Sequence, residues 1–140
     1  MTEARLQALM ADWLACTLPD AAIFHHSPNE GLRHVAFRVK LRNMGFKSGW
    51  PDIEIFAPRG CFHDPAHWAP IFLEVKAATG KVSKAQKEVL EGLEGCGCHV
   101  GIVRSIGELE SFLAELLELD VSMAKLHIIR ELEGAMNGGS

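Results

Sequence analysis

No apolar stretch in this 140-residue chain is long enough to cross a membrane, which excludes a helical membrane span. No basic region followed by an apolar run opens the sequence, so no secretory signal is read there. Cysteine is sparse at four residues. Without a secretion signal these are expected to be reduced thiols in a cytoplasmic compartment. Internal repeats and low-complexity tracts are also lacking, which excludes solenoids and compositionally biased linkers. An overall excess of positive charge is missing too: the net charge is −4. The local distribution is more informative. Between Glu30 and Asp52 there is no acidic residue, while Arg33, Arg38, Lys40, Arg42 and Lys47 supply five positive charges; the acids concentrate from Glu88 to Asp120. A basic face opposite an acidic one can hold a phosphate backbone, and a merely solvated face explains the run equally well.

What is present is an ordinary globular composition, 48% hydrophobic and 23% charged, in a chain long enough for one domain with a real core. Leu6, Leu9, Met10, Trp13 and Leu14 recur at helical spacing behind a Thr2 N-cap, in a helix that should end before Leu18-Pro19. Ala21 to His26 reads as a short strand or extended segment, and Ser27 to Gly31 as a turn. Leu32 to Met44 fits a helix through Leu32, Val35, Ala36 and Val39, or alternation through Val35, Phe37 and Val39; a helix ended by Gly45 is favoured. Ser83 and Gln86 form a capping-box pattern opening a helix to about Glu94, stopped by Gly95 and Gly97. His99 to Val103 reads as a strand, and Ser105 with Glu108 opens a helix through Leu116 or beyond. Strand, helix, strand implies a right-handed crossover and a parallel pair. A weaker helix spans Val121 to Met136, with Leu126, Ile129 and Leu132 on one face.

Two short apolar runs carry the chemistry. Gly49-Trp50-Pro51-Asp52-Ile53-Glu54-Ile55-Phe56 and Ile71-Phe72-Leu73-Glu74-Val75-Lys76 both read as strands, antiparallel across the loop between them. Strand alternation places Glu74 and Lys76 on one side, and pairing lets Asp52 join them. Two carboxylates and an ammonium at one strand end are costly to desolvate unless paired or bound to a cation. Two hard oxygen ligands suit Mg²⁺ or Mn²⁺, and the lysine can orient a water beside it, a pattern that points to metal-dependent phosphodiester hydrolysis. An N-terminal strand Asp beside a surface Glu–Lys pair is the plainer alternative. Glu54 shares the face of Asp52 and borders the site or pairs with a lysine.

Pro51-Asp52 followed by Glu74-Val75-Lys76 resembles the PD-(D/E)xK nuclease superfamily. With Asn43 to Gly49 upstream and Gly80 to Gln86 downstream, the chain is similar to its VRR-NUC branch, the virus-type replication and repair nucleases, from about Glu3 to Phe112. The resemblance implies an α/β restriction-endonuclease-like core with a small mixed sheet flanked by helices. It implies that Asp52 and Glu74 hold Mg²⁺ or Mn²⁺, that Val75 or its carbonyl completes the metal shell, and that Gln86 orients Lys76 or the attacking water. A capping box already accounts for Gln86. Glu3 corresponds by position to a further metal ligand in the first helix; a favourable charge in a helical first turn explains it too. His25, His26, Ser27 and Asn29 resemble a stretch that relatives carry near the site, although a turn accounts for most of it. The insertion from Pro58 to Pro70, read as a hairpin, and the tail follow no pattern of the family. The division is a nuclease-like domain over 1–120 and a helical extension over 121–140.

Arg33, Arg38, Lys40, Arg42, Lys81, Lys84 and Lys87 are the candidates for contact with a DNA backbone, which position the nucleic acid without reading sequence. Small relatives of this kind pair as homodimers on branched DNA, which implies a phage or bacterial replication, repair or recombination role. The alternative is a catalytically inactive nucleic-acid-binding module of the same fold; an interaction protein docking through its C-terminal helix is the third reading. Cys61, His63, His67, Cys96 and Cys98 supply enough soft ligands for zinc, but their spacings match no common zinc module, and small buried hydrophobes with loop histidines are the favoured reading.

Overall fold

The apolar spacing at the start of the chain builds helix α1, Glu3–Thr17, which buries Leu6, Leu9, Met10, Trp13 and Leu14 on one face. Thr2 caps it, its Oγ1 accepting from the Arg5 backbone N–H at 3.2 Å. Leu18 leaves the helix with extended backbone, as a residue before proline must. The computed structural model describes residues 1–27, 35–122 and 132. The expected turn from Pro28 to Gly31, Leu32 and Arg33, and most of the segment expected as a helix from Val121 to Met136, with Leu126 and Ile129, lie outside the described residues.

Among the described residues four strands form one sheet in the order β1 (Ile23–His26), β2 (Ile53–Phe56), β3 (Ile71–Val75), β4 (His99–Val103). β1 to β2 and β2 to β3 pair antiparallel, and β3 to β4 pairs parallel across the expected crossover. Leu73 sits opposite Ile53 on one side and Gly101 on the other. Alternation sends Ile53, Ile55, Ile71, Leu73 and Val75 into the core with α1, and Glu54, Phe72 and Glu74 to the opposite face. Each fully buried aliphatic side chain there contributes roughly 1.5–3 kcal/mol.

Three further helices among the described residues flank it: α2 (Val35–Asn43), α3 (Lys84–Gly95) and α4 (Ile106–Ala114). The helical reading of the ambiguous segment holds, and Gly45 ends it at φ +99°. α1 and α4 pack together over the core face of the sheet, and α3 packs on β4. Gly101 allows the last contact of α4: a Cβ there would stand 2.8 Å from the Phe112 ring. α4 is shorter than its sequence predicts. Beyond Ala114 the backbone turns to the insertion instead, with His63 N–H donating to Leu116 O at 3.0 Å and Glu118 N–H to Cys61 O at 3.2 Å. The insertion is not a hairpin but two single 3-10 turns, Arg59–Cys61 and Pro65–His67. Among the described residues no helix is long and apolar enough to cross a membrane.

Candidate active site

Asp52 and Glu74 are brought together by the β2–β3 pairing. Asp52 lies one residue before β2, and its Oδ2 accepts the Val75 backbone N–H at 2.8 Å, so the neighbouring strand aims the carboxylate. Its own carbonyl accepts from Ser27 N–H at 2.9 Å and lies 3.1 Å from His26 Nδ1, which also touches the Gln7 amide. Glu74 is 1% exposed, in a strand buried along its whole length. Its Oε1 accepts from Gln86 Nε2 at 2.8 Å and stands 3.7 Å from Lys76 Nζ. Its Oε2 is buried with no hydrogen-bond partner.

A buried carboxylate with an unsatisfied oxygen is an expensive arrangement for an anion. The Glu74 carboxyl is accordingly pushed up from 4.5 to about 8, first by burial, then by the neighbouring Asp52 carboxylate, while Lys76 pulls it down. The pair fits a divalent cation for this reason. A cation would satisfy the orphaned oxygen and relieve the repulsion between the carboxylates. Among the described residues no three His, Cys, Asp or Glu side chains group into a metal cage. Glu3, at the first turn of α1, stands instead 3.9 Å from Lys76 Nζ. Lys76 thus lies between two carboxylates, with only 9% of its side chain exposed.

Gln86 serves both readings at once. Its Oε1 accepts from Ser83 N–H at 2.8 Å while Ser83 Oγ accepts from Gln86 N–H at 3.1 Å, closing the capping box. Its amide nitrogen remains free to hold Glu74, so the contact is to the carboxylate and not to Lys76. These residues line a cleft of about 330 Å³ that also holds Ser27, Arg38 and Trp50. The Nε of Arg38 is buried there without a hydrogen-bond partner. Lys40, Arg42, Lys81, Lys84 and Lys87 are exposed, and none of them lines this cleft. Glu54 does not pair with a lysine: its Oε1 accepts from Trp50 Nε1 at 2.5 Å and Ser27 Oγ at 3.5 Å.

One supporting residue escaped the sequence pattern. Arg104, just past β4, donates through one terminal nitrogen to Ala77 O at 2.8 Å and Gly80 O at 2.7 Å. It pins the loop that joins Lys76 to the helix carrying Gln86. The only local signal was a cation between a strand and a capping serine. The candidate soft ligands make separate contacts: His63 bonds Ala114 O at 2.8 Å and faces Glu118, and His67 faces Asp64. The Cys98 thiol is raised, by burial and then by Cys96.

A mixed sheet with two carboxylates and a lysine converging at its strand ends defines a restriction-endonuclease-like α/β domain. The family model of the VRR-NUC domain matches residues 2–106, and the chain belongs to that nuclease family. A solved structure described as a VRR_NUC domain protein superimposes with a TM-score of 0.63 at 25% identity, over 82% of this chain and 87% of that one. No curated protein matches the chain.

Proposed function

We propose that the protein is a metal-dependent DNA nuclease that hydrolyses phosphodiester bonds in branched or junction DNA during replication, repair or recombination. The observation that carries this reading is the orphaned, buried Glu74 Oε2 beside Asp52 in a cleft that also holds an unsatisfied arginine nitrogen. Asp52 and Glu74 would hold Mg²⁺ or Mn²⁺, with the Val75 carbonyl as a further ligand, while Glu3 stays beside Lys76. When bound, such an ion supplies a Lewis acid toward the phosphate and lowers the pKa of its water.

The chain's own residues do the rest. Gln86 holds Glu74 in one rotamer from a capped helix, and the Val75 amide does the same for Asp52. Lys76, held between Glu74 and Glu3, keeps an ammonium where negative charge builds on the phosphate and orients the attacking water. Arg38 offers its buried nitrogen to a phosphate oxygen within the cleft. Lys40, Arg42, Lys81, Lys84 and Lys87, with Arg33, provide weaker, sequence-independent contacts to the backbone. The same reading takes the protein as a homodimer, since two-fold pairing would present two sites to one branched substrate.

A panel of junction, flap, duplex and single-stranded DNA, each with Mg²⁺, Mn²⁺ or chelator, tests the activity, and light scattering tests the dimer. Metal-dependent cleavage that prefers branched DNA is expected, with a dimer at micromolar concentration. Binding without cleavage under every metal condition would favour the inactive binding module instead.

A further inference from the structure

The candidate cleft has a neighbour at the start of α3. A second groove, of about 380 Å³, is lined by Arg42, Phe46, Lys47, Ser48, Ala85 and Glu88. Phe46, Ser48 and Ala85 line both spaces, so the two share a wall. That wall is held at each end. Upstream, Phe46 N–H donates to Leu41 O at 2.9 Å as the chain leaves α2 through Gly45. Downstream, Gly49 adopts φ +81° and lies so close to α3 that a Cβ would stand 2.7 Å from the Ala85 carbonyl carbon. The half-buried Phe46 ring is therefore carried on a short segment tied to two helices.

The charge in this groove suits a polyanion. Arg42 and Lys47 supply two cations, and among the described residues neither is ion-paired. The opposing acid, Glu88, is partnered by Lys84 at 4.0 Å. An aromatic ring flanked by free cations matches what a single strand requires, a face for a base and charges for its phosphates. Bases inside a duplex are already stacked on their neighbours and do not reach a ring recessed in a groove.

We propose that this groove is a nucleotide subsite for an unpaired DNA strand that runs on from the catalytic cleft. Phe46 stacks on a base, and Arg42 and Lys47 hold the flanking phosphates. The assignment rests on the nuclease reading for the direction of the strand. It narrows the substrate to DNA with a single-stranded arm beside the cut, rather than continuous duplex.

The test is binding of the full chain to a flap carrying 2-aminopurine in its unpaired arm, followed by fluorescence and anisotropy in chelator so that cleavage plays no part. Emission should change at arm positions near the branch and not at duplex positions, and a blunt duplex of equal length should bind more weakly. Phe46→Leu keeps an apolar side chain but removes the π face, and should weaken flap binding roughly tenfold; Phe46→Trp should restore it. Arg42→Gln with Lys47→Gln should lower the salt slope by about two units. Equal affinity for flap and duplex, or wild-type affinity and emission in a folded Phe46→Leu protein, overturns the proposal. If the Phe46 signature appears while no metal supports cleavage, the subsite stands and the nuclease reading falls. If flaps are cleaved but Phe46→Leu binds them as wild type does, the subsite alone falls.

Discussion

All five residues of β3 are buried, whereas α2 buries none of its nine, yet both deliver a charged side chain to the same cleft, Glu74 from the strand and Arg38 from the helix. The strand holds its carboxylate in a low-dielectric wall, where an unpaired oxygen is costly and a cation is worth most. The helix presents Lys40 and Arg42 to water and turns the Nε of Arg38 inward. Val35, Phe37 and Val39 remain exposed along it. On the nuclease reading the carboxylates would position the chemistry and the exposed cations would gather substrate.

The widest gap between the two elements is expected in catalysis. Asp52→Asn and Glu74→Gln should each lower metal-dependent cleavage about 10³-fold or more, with the circular dichroism spectrum unchanged, because each would remove a proposed metal ligand and with it several kcal/mol of charge stabilisation. Full activity in a contaminant-free Asp52→Asn preparation would remove β2 and β3 from the active site. Arg38→Gln should leave the rate at saturating DNA far less affected.

Stability should divide the same way. Leu73→Ala in β3 should cost about 2–5 kcal/mol in urea unfolding, and Val39→Ala in α2 within about 0.5 kcal/mol. Equal losses would mean that α2 is as firmly packed as the sheet.

The buried carboxyl makes the difference depend on pH. The Glu74 carboxyl rises from 4.5 to about 8 in the folded chain, so between those values the folded state binds more protons than the unfolded one. The metal-free protein should therefore lose stability as pH rises from about 4.5 to 8, by on the order of a few kcal/mol. Melting temperature measured in chelator should fall over that range, and Glu74→Gln should flatten the profile. Mg²⁺ or Mn²⁺ should raise the melting temperature more at pH 8 than at pH 5. A flat wild-type profile would mean that Glu74 is already neutralised by its neighbours.

Gly49→Ala probes the seam between the two regions. It forces a side chain into φ +81° and against the Ala85 backbone, and should cost about 1–3 kcal/mol while displacing the segment that bears Phe46. The smallest effect concerns phosphate contacts. Arg38→Gln with Arg42→Gln should reduce the salt slope of DNA binding by about one unit per lost contact, with little change in melting temperature. An unchanged slope would move the binding face off α2.

The sequence by itself determined what rests on short-range physics. Thr2 and Ser83 mark their helix starts, Leu18-Pro19 marks an end, and the apolar rows of α1 and of β3 declare their buried positions. The parallel pairing of β3 with β4 followed from the crossover between them, and the spacing of Asp52, Glu74 and Lys76 was sufficient to nominate the site. Only the tertiary structure decided which partners those groups find. Gln86 turns to Glu74 rather than Lys76, Glu3 faces Lys76, Glu54 accepts from Trp50, and Arg104 reaches back to the Ala77–Gly80 loop. α4 ends before its pattern predicts because the insertion draws the backbone away after Ala114. Periodicity and capping act within a few residues and can be read along the chain. Desolvation, long-range hydrogen bonding and the orphaned oxygen of Glu74 exist only once distant segments exclude water together.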